Sequence, residues 1–164
     1  MTALFVGGCS DRSSAVPYEL GQPFSDQAPD VGKARIYVYW PTASPADEGR
    51  HQVCWSSVTS LPEPLLRGGY VGSDTAPGEV TMEVDHILDV WRASLSARSP
   101  ALALRAESGG VYFVRAVPGK GFLEPMVLEL VPPQTARPEI ERCRLTRERV
   151  DGPLALTRHA GRGR

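Results

Sequence analysis

Ala34-Arg35-Ile36-Tyr37-Val38-Tyr39-Trp40 alternates with a strand's period. Successive side chains of a strand point to opposite faces, so Ala34, Ile36, Val38 and Trp40 share one face, and Arg35, Tyr37 and Tyr39 share the other. Pro41 stops the run, because it has no N–H to offer a ladder. Downstream, Val80, Met82 and Val84 alternate with Thr81 and Glu83 in the same way, and Leu102 and Leu104 alternate with Ala101, Ala103 and Arg105. Ser108-Gly109-Gly110 reads as a hairpin turn into Val111–Val117, a run apolar on both faces that suits a central strand. Met126 to Val131 reads as another strand, ended by Pro132-Pro133, and Ile140 to Leu145 as the last. A weaker strand covers His51 to Val58. Gly68-Gly69 predicts a turn into a short strand at Tyr70 and Val71, and Ala76-Pro77-Gly78 a second turn. Residues 85–97 are open to two readings: Ile87, Leu88, Trp91 and Leu95 fall at helical spacing behind a capping Asp85, yet an irregular crossover fits as well.

Seven or eight short strands separated by turn signals predict a mainly β chain, a single antiparallel β-sandwich of the Ig-like type. The length of 164 residues fits one domain. Sixteen glycines and fifteen prolines favour short strands over long helices, and the net charge of -1 gives no electrostatic case for nucleic acid. No apolar run approaches the roughly 20 residues that a spanning helix needs. No repeat of the solenoid or propeller kind is visible.

The amino end carries a different signal. Val6-Gly7-Gly8-Cys9, led by the apolar Ala3-Leu4-Phe5, resembles the end of a bacterial lipoprotein signal, in which small residues precede a cysteine whose thiol receives a diacylglyceryl group. A complete export signal has a basic start and an apolar run of roughly 7–15 residues. Only eight residues precede Cys9, none of them Lys or Arg. Either the start lies upstream of Met1 and residues 1–9 are a truncated remnant, or the match is fortuitous. On the first reading, residues 10–32, polar and aperiodic, form a flexible tether, residues 33–147 the β-sandwich domain and residues 148–164 a disordered basic tail. Three cysteines are an odd number for an exported chain, so a lipid on Cys9 leaves Cys54 and Cys143 as a candidate disulfide. Closing that loop of about 90 residues would stabilise by roughly 4–5 kcal/mol. Two buried free thiols are the alternative.

Lys33 to Tyr39, then Gly68-Gly69-Tyr70, then Pro77-Gly78 opening a strand, then Gly110 to Arg115 together resemble a family of small bacterial envelope lipoproteins bearing a domain of unknown function. The resemblance covers roughly residues 33–145 and implies a lipidated cysteine, a short tether and one PEGA-like, Ig-like sandwich. It departs at Trp55–Pro64, which lacks the family's Asp-Gly turn, and at Ile87–Arg98, which is longer. It implies fold and address but no catalytic residue.

Chemistry is sparse. His51 and Cys54, even with Cys143, fall short of the four ligands and tight pairs of structural zinc, so no metal or other cofactor is expected. Asp85, His86 and Asp89 offer carboxylates beside an imidazole, but neighbours on a strand point to opposite faces. Ser56, Ser57 and Ser60 lie in no nucleophile elbow, and Gly68-Gly69 lacks the Lys-Ser/Thr of a phosphate loop. Tyr37, Tyr39, Tyr70 and Tyr112 form a candidate binding surface for peptide or glycan, against ordinary cross-strand packing. Arg158, Arg162 and Arg164 could touch anionic lipid. The expectation is a non-enzymatic, lipid-anchored envelope protein on the periplasmic face. Ser10 after the cysteine points to the outer membrane by resemblance to lipoprotein sorting, and an envelope partner would dock at an edge strand. The alternatives are a small periplasmic hydrolase or carbohydrate-active enzyme, which needs His51 or His86 to meet carboxylates in a cleft, and a cytosolic β-sandwich domain.

Overall fold

The computed structural model describes residues 18–44, 50–56, 62–90, 93–121 and 124–148. The alternating stretch forms strand β2 (Ala34–Tyr39), following β1 (Tyr18–Pro23). Then come β3 (Arg50–Trp55), β4 (Glu63–Pro64), β5 (Gly69–Thr75), β6 (Gly78–Val90), β7 (Ala93–Arg98), β8 (Leu102–Ala106), β9 (Val111–Val117) and β10 (Val127–Val131). Helix α1 (Pro133–Ile140) and strand β11 (Arg144–Glu148) complete the described chain. The protein is mainly β, with two open sheets. The first runs β1-β11-β5-β2-β9-β10; the second runs β4-β3-β6-β7, with β8 also paired to β6.

The two sheets meet through the face of β2 that the alternation selected. Ala34, Ile36 and Val38 join Val53 and Trp55 of β3, Val80, Met82 and Val84 of β6, and Val114 and Ala116 of β9 in one buried cluster. Ile36, Val38, Val53, Met82 and Val84 expose no surface. At about 25 cal/mol per Å² of apolar surface removed from water, this cluster is the main source of stability.

Four features differ from the sequence reading. The first sheet is mixed, because β2 pairs in parallel with β9 and β11 with β5. Parallel neighbours need a crossover, and the chain between β2 and β9 supplies it by passing twice through the second sheet. Of residues 85–97, those described are strand rather than helix. They hold the end of β6 and most of β7, paired as Ile87↔Ser96 and Leu88↔Leu95. Both faces of β6 are buried there, with His86, Ile87 and Leu88 all below 8% exposure, so apolar residues on both faces imitate helical spacing. The stretch assigned to a tether enters the fold at Tyr18: β1 pairs with β11 through Tyr18↔Glu148, Glu19↔Arg147 and Leu20↔Thr146. An edge strand with no buried side chain has no apolar alternation to reveal it. Lastly, the described residues hold eleven strands where seven or eight were expected, and the segment read as beginning the last strand at Ile140 ends a helix instead.

That helix starts at the proline pair read as a stop. Pro133 sits in its first turn, where a missing N–H costs nothing, and Ala136 and Ile140 face inward. With Tyr37, Tyr39, Tyr70, Phe113, Val131 and Cys143 they form a second buried cluster on the outer face of the first sheet. The first sheet is therefore packed on both sides.

Candidate functional site

Three of the four tyrosines share this outer face, and none is an open binding surface. Tyr37, Tyr39 and Tyr70 are 2%, 0% and 7% exposed. Tyr112 belongs to the opposite face, packed on the inter-sheet cluster, where its hydroxyl accepts from the Glu107 amide at 2.9 Å. Strand alternation explains the split, since residue 112 has the parity of Val114 and Ala116.

What covers the tyrosines is the segment after β1. The Phe24 ring meets Tyr37 edge-on at 5.1 Å and Tyr70 at 5.3 Å, while Tyr37 stacks on Phe113 at 5.6 Å. The Gln27 amide donates to the Tyr37 hydroxyl at 3.0 Å. Gly72 is required beneath this platform, because a Cβ there would stand 2.9 Å from the Tyr37 ring. At the helix side, the Tyr39 hydroxyl donates to Glu139 at 2.7 Å, and Arg115 bridges Glu139 and Glu129, each at 2.9 Å. Burial and the adjacent Glu139 carboxylate push the Tyr39 phenol far above its ordinary value, so it serves as a donor. The Arg35 guanidinium lies over Tyr37 and that of Arg137 over Phe113, both 5.6 Å from the ring centre. Arg137 also meets Asp26 of the covering segment at 2.6 Å.

The histidines form a second grouping. His51 and His86 are opposite each other on β3 and β6, and their rings stack 4.5 Å apart with an interplanar angle of 25°. Trp40 meets His51 edge-on at 4.9 Å, and both histidines are buried, at 4% and 1% exposure. Asp85 does not join them. It points to the other face of β6, where Arg98 holds it at 2.7 Å and the Cys54 sulfur lies 3.7 Å away. Neighbours on a strand point to opposite sides of the sheet, so Asp85 and His86 do not share a face. The Asp89 side chain lies outside the described residues, as do Ser57 and Ser60. Ser56 is described, and its hydroxyl accepts from the Thr81 amide at 2.9 Å.

Glu63 on β4 escaped the sequence reading. It is opposite Val53, on the edge of the second sheet, and desolvation pushes its carboxyl from an ordinary 4.5 up to about 7. A charged residue between two prolines gives no hint of burial; its pairing with β3 reveals it.

The expected Cys54–Cys143 disulfide is not formed. Cys143 is a free thiol at 1% exposure, and burial pushes it up to about 11. It sits in the outer cluster beneath α1, whereas Cys54 is on β3 in the other sheet. Cys54 is itself disulfide-bonded. Among the described residues no group of three or more His, Cys, Asp or Glu could hold a metal ion, and no helix is long and apolar enough to cross a membrane. Cys9 and the arginines Arg158, Arg162 and Arg164 lie outside the described residues. No protein-family model, no curated protein and no solved structure matches this chain.

Proposed function

We propose that this protein is a non-enzymatic binding or structural module of the bacterial cell envelope, held on the periplasmic face of the outer membrane by acyl chains on Cys9. The observation that carries the reading is the Val6-Gly7-Gly8-Cys9 stretch, small residues before a thiol near the amino end. Two or more chains on that cysteine anchor stably, where one is marginal. We read the two packed sheets as a β-sandwich of the Ig-like, PEGA-like kind, reached from the anchor through Ser10–Pro17. Those eight residues span at most about 28 Å when extended, which holds the domain near the bilayer. Docking of an envelope partner is assigned to the sheet edges.

The chemistry of the sulfur supplies the test. A thioether to lipid and a disulfide compete for one atom. With Cys143 free, the disulfide at Cys54 in this structure and acylation of Cys9 exclude each other, so the anchored form we propose is a different covalent form, in which Cys54 is a free thiol. The gene, expressed from its genomic context with radiolabelled palmitate, should yield a labelled chain that fractionates with membranes. Cys9→Ala should lose both label and membrane fraction. An unlabelled wild-type protein, or a mass matching a Cys9–Cys54 bond, refutes the anchor.

A further inference from the structure

We propose that the N-terminal arm Tyr18–Asp30 is exchangeable, so that the surface it covers also accepts the same arm from a second copy of this chain. The inference does not depend on lipidation; it rests on how the arm is held. Among the described residues, the contacts that fix it run to the body of the domain. β1 lies against β11, with Glu19 and Arg147 paired at 2.7 Å. The Phe24 amide donates to the Cys143 carbonyl at 3.1 Å, and its ring plugs the space between Tyr37 and Tyr70. Asp26 pairs with Arg137, Gln27 binds the Tyr37 hydroxyl, and the Asp30 amide donates to Asp74 at 3.1 Å. None of these contacts requires arm and body to belong to one chain.

With Cys9 replaced, so that no disulfide through it ties the arm down, what directs the arm to its own body among the described residues is a turn. The Lys33 amide donates back to the Asp30 carbonyl at 2.9 Å, Gly32 takes φ +79°, and Val31 is fully exposed. If the turn opens, the arm extends and an identical arm can fill the vacated site, which is the route by which proteins exchange elements between protomers. The occupant is fixed by charge and shape together. Acidic Glu19 and Asp26 meet basic Arg147 and Arg137, with an aromatic plug between them, in the order that this chain itself carries.

The test uses the full chain carrying Cys9→Ser, so that neither a lipid nor a disulfide through that residue contributes to the mass. In sedimentation at about 10 µM to 1 mM, a small dimer fraction should grow with concentration. Gly32→Val puts a β-branched residue at a φ that favours glycine, penalising the closed turn but not the extended one. It should raise the dimer fraction at least about fivefold at equal concentration. Adding Glu19→Cys and Arg147→Cys, opposite each other on β1 and β11, and oxidising should join the two chains of the dimer covalently, whereas a surface dimer forms that bond within each chain. A folded Gly32→Val protein that stays monomeric at about 1 mM overturns the proposal, as does a dimer whose chains part in denaturant after that oxidation. Should Gly32→Val fail to fold, a synthetic peptide of residues 18–30 added to the full-length Phe24→Ala protein replaces it. Saturable binding supports exchange, with at least about a tenfold loss when the peptide's own Phe24 is replaced by Ala. No binding to the folded protein refutes it.

Discussion

The two faces of the first sheet are packed by different means. On the inner face, aliphatic residues from β2, β9, β3 and β6 interlock, and each comes from a strand with partners on both sides or a facing sheet above it. On the outer face, aromatic rings with polar tips are covered by an aperiodic segment and an eight-residue helix. The inner cluster is continuous with the sheet ladders, so it opens only when the sheets do. The outer cover is attached by one edge strand, one aromatic plug and a few polar contacts, several of them exposed. A fold can therefore hold one layer rigidly and another loosely on opposite sides of the same strands.

Substitutions on either side test that asymmetry. Ile36→Ala deletes a fully buried side chain between the sheets and should lower global stability by about 3–4 kcal/mol, measured by urea denaturation. A loss below about 1 kcal/mol would place the load elsewhere. Phe24→Ala should cost about 2 kcal/mol or less, because the ring is half-buried and its platform can be reached by water. Its signature should be local, with faster exchange of the arm amides and little change in those of β2 and β9. Loss of global stability equal to that of Ile36→Ala would erase the distinction.

Glu63 sharpens the picture at the second sheet's edge. Its folded carboxyl titrates near 7 against an ordinary 4.5, so the folded state holds the proton more tightly than the unfolded one. Stability present below pH 4.5 is therefore lost as the pH rises through about 7. Glu63→Gln should remove that slope and stabilise the protein at pH 8 by about 1–2 kcal/mol, a range reduced for the group's partial exposure. An unchanged pH profile would mean that the carboxylate reaches water. The smallest effect is expected for Tyr39→Phe, about 1 kcal/mol, since Glu139 keeps Arg115 as its partner when the phenol is lost.

The contrast between the faces also explains what the sequence reveals. β2, the first half of β6, β8, β9 and β10 were legible because one or both faces are apolar at strand spacing. The alternation even divided Ile36 and Val38 correctly from Tyr37 and Tyr39, though not what would cover the tyrosines. β1, Glu63 and the parallel β5–β11 pair were illegible because their order comes from partners distant in the chain. α1 was hidden by Pro133 and Pro138, residues that end a helix more often than they begin one. The histidine pair could not be seen either, because His51 and His86 meet only through the register of β3 on β6.

Residue-resolved hydrogen exchange on the full chain tests the two-layer account most directly. The amides of Phe24 and Gln27 should exchange through a local opening at least about tenfold faster than those of Val38 and Val114, and independently of denaturant at low concentration. Equal protection across all four, with one shared denaturant dependence, would show that arm and sheets open together and would contradict it.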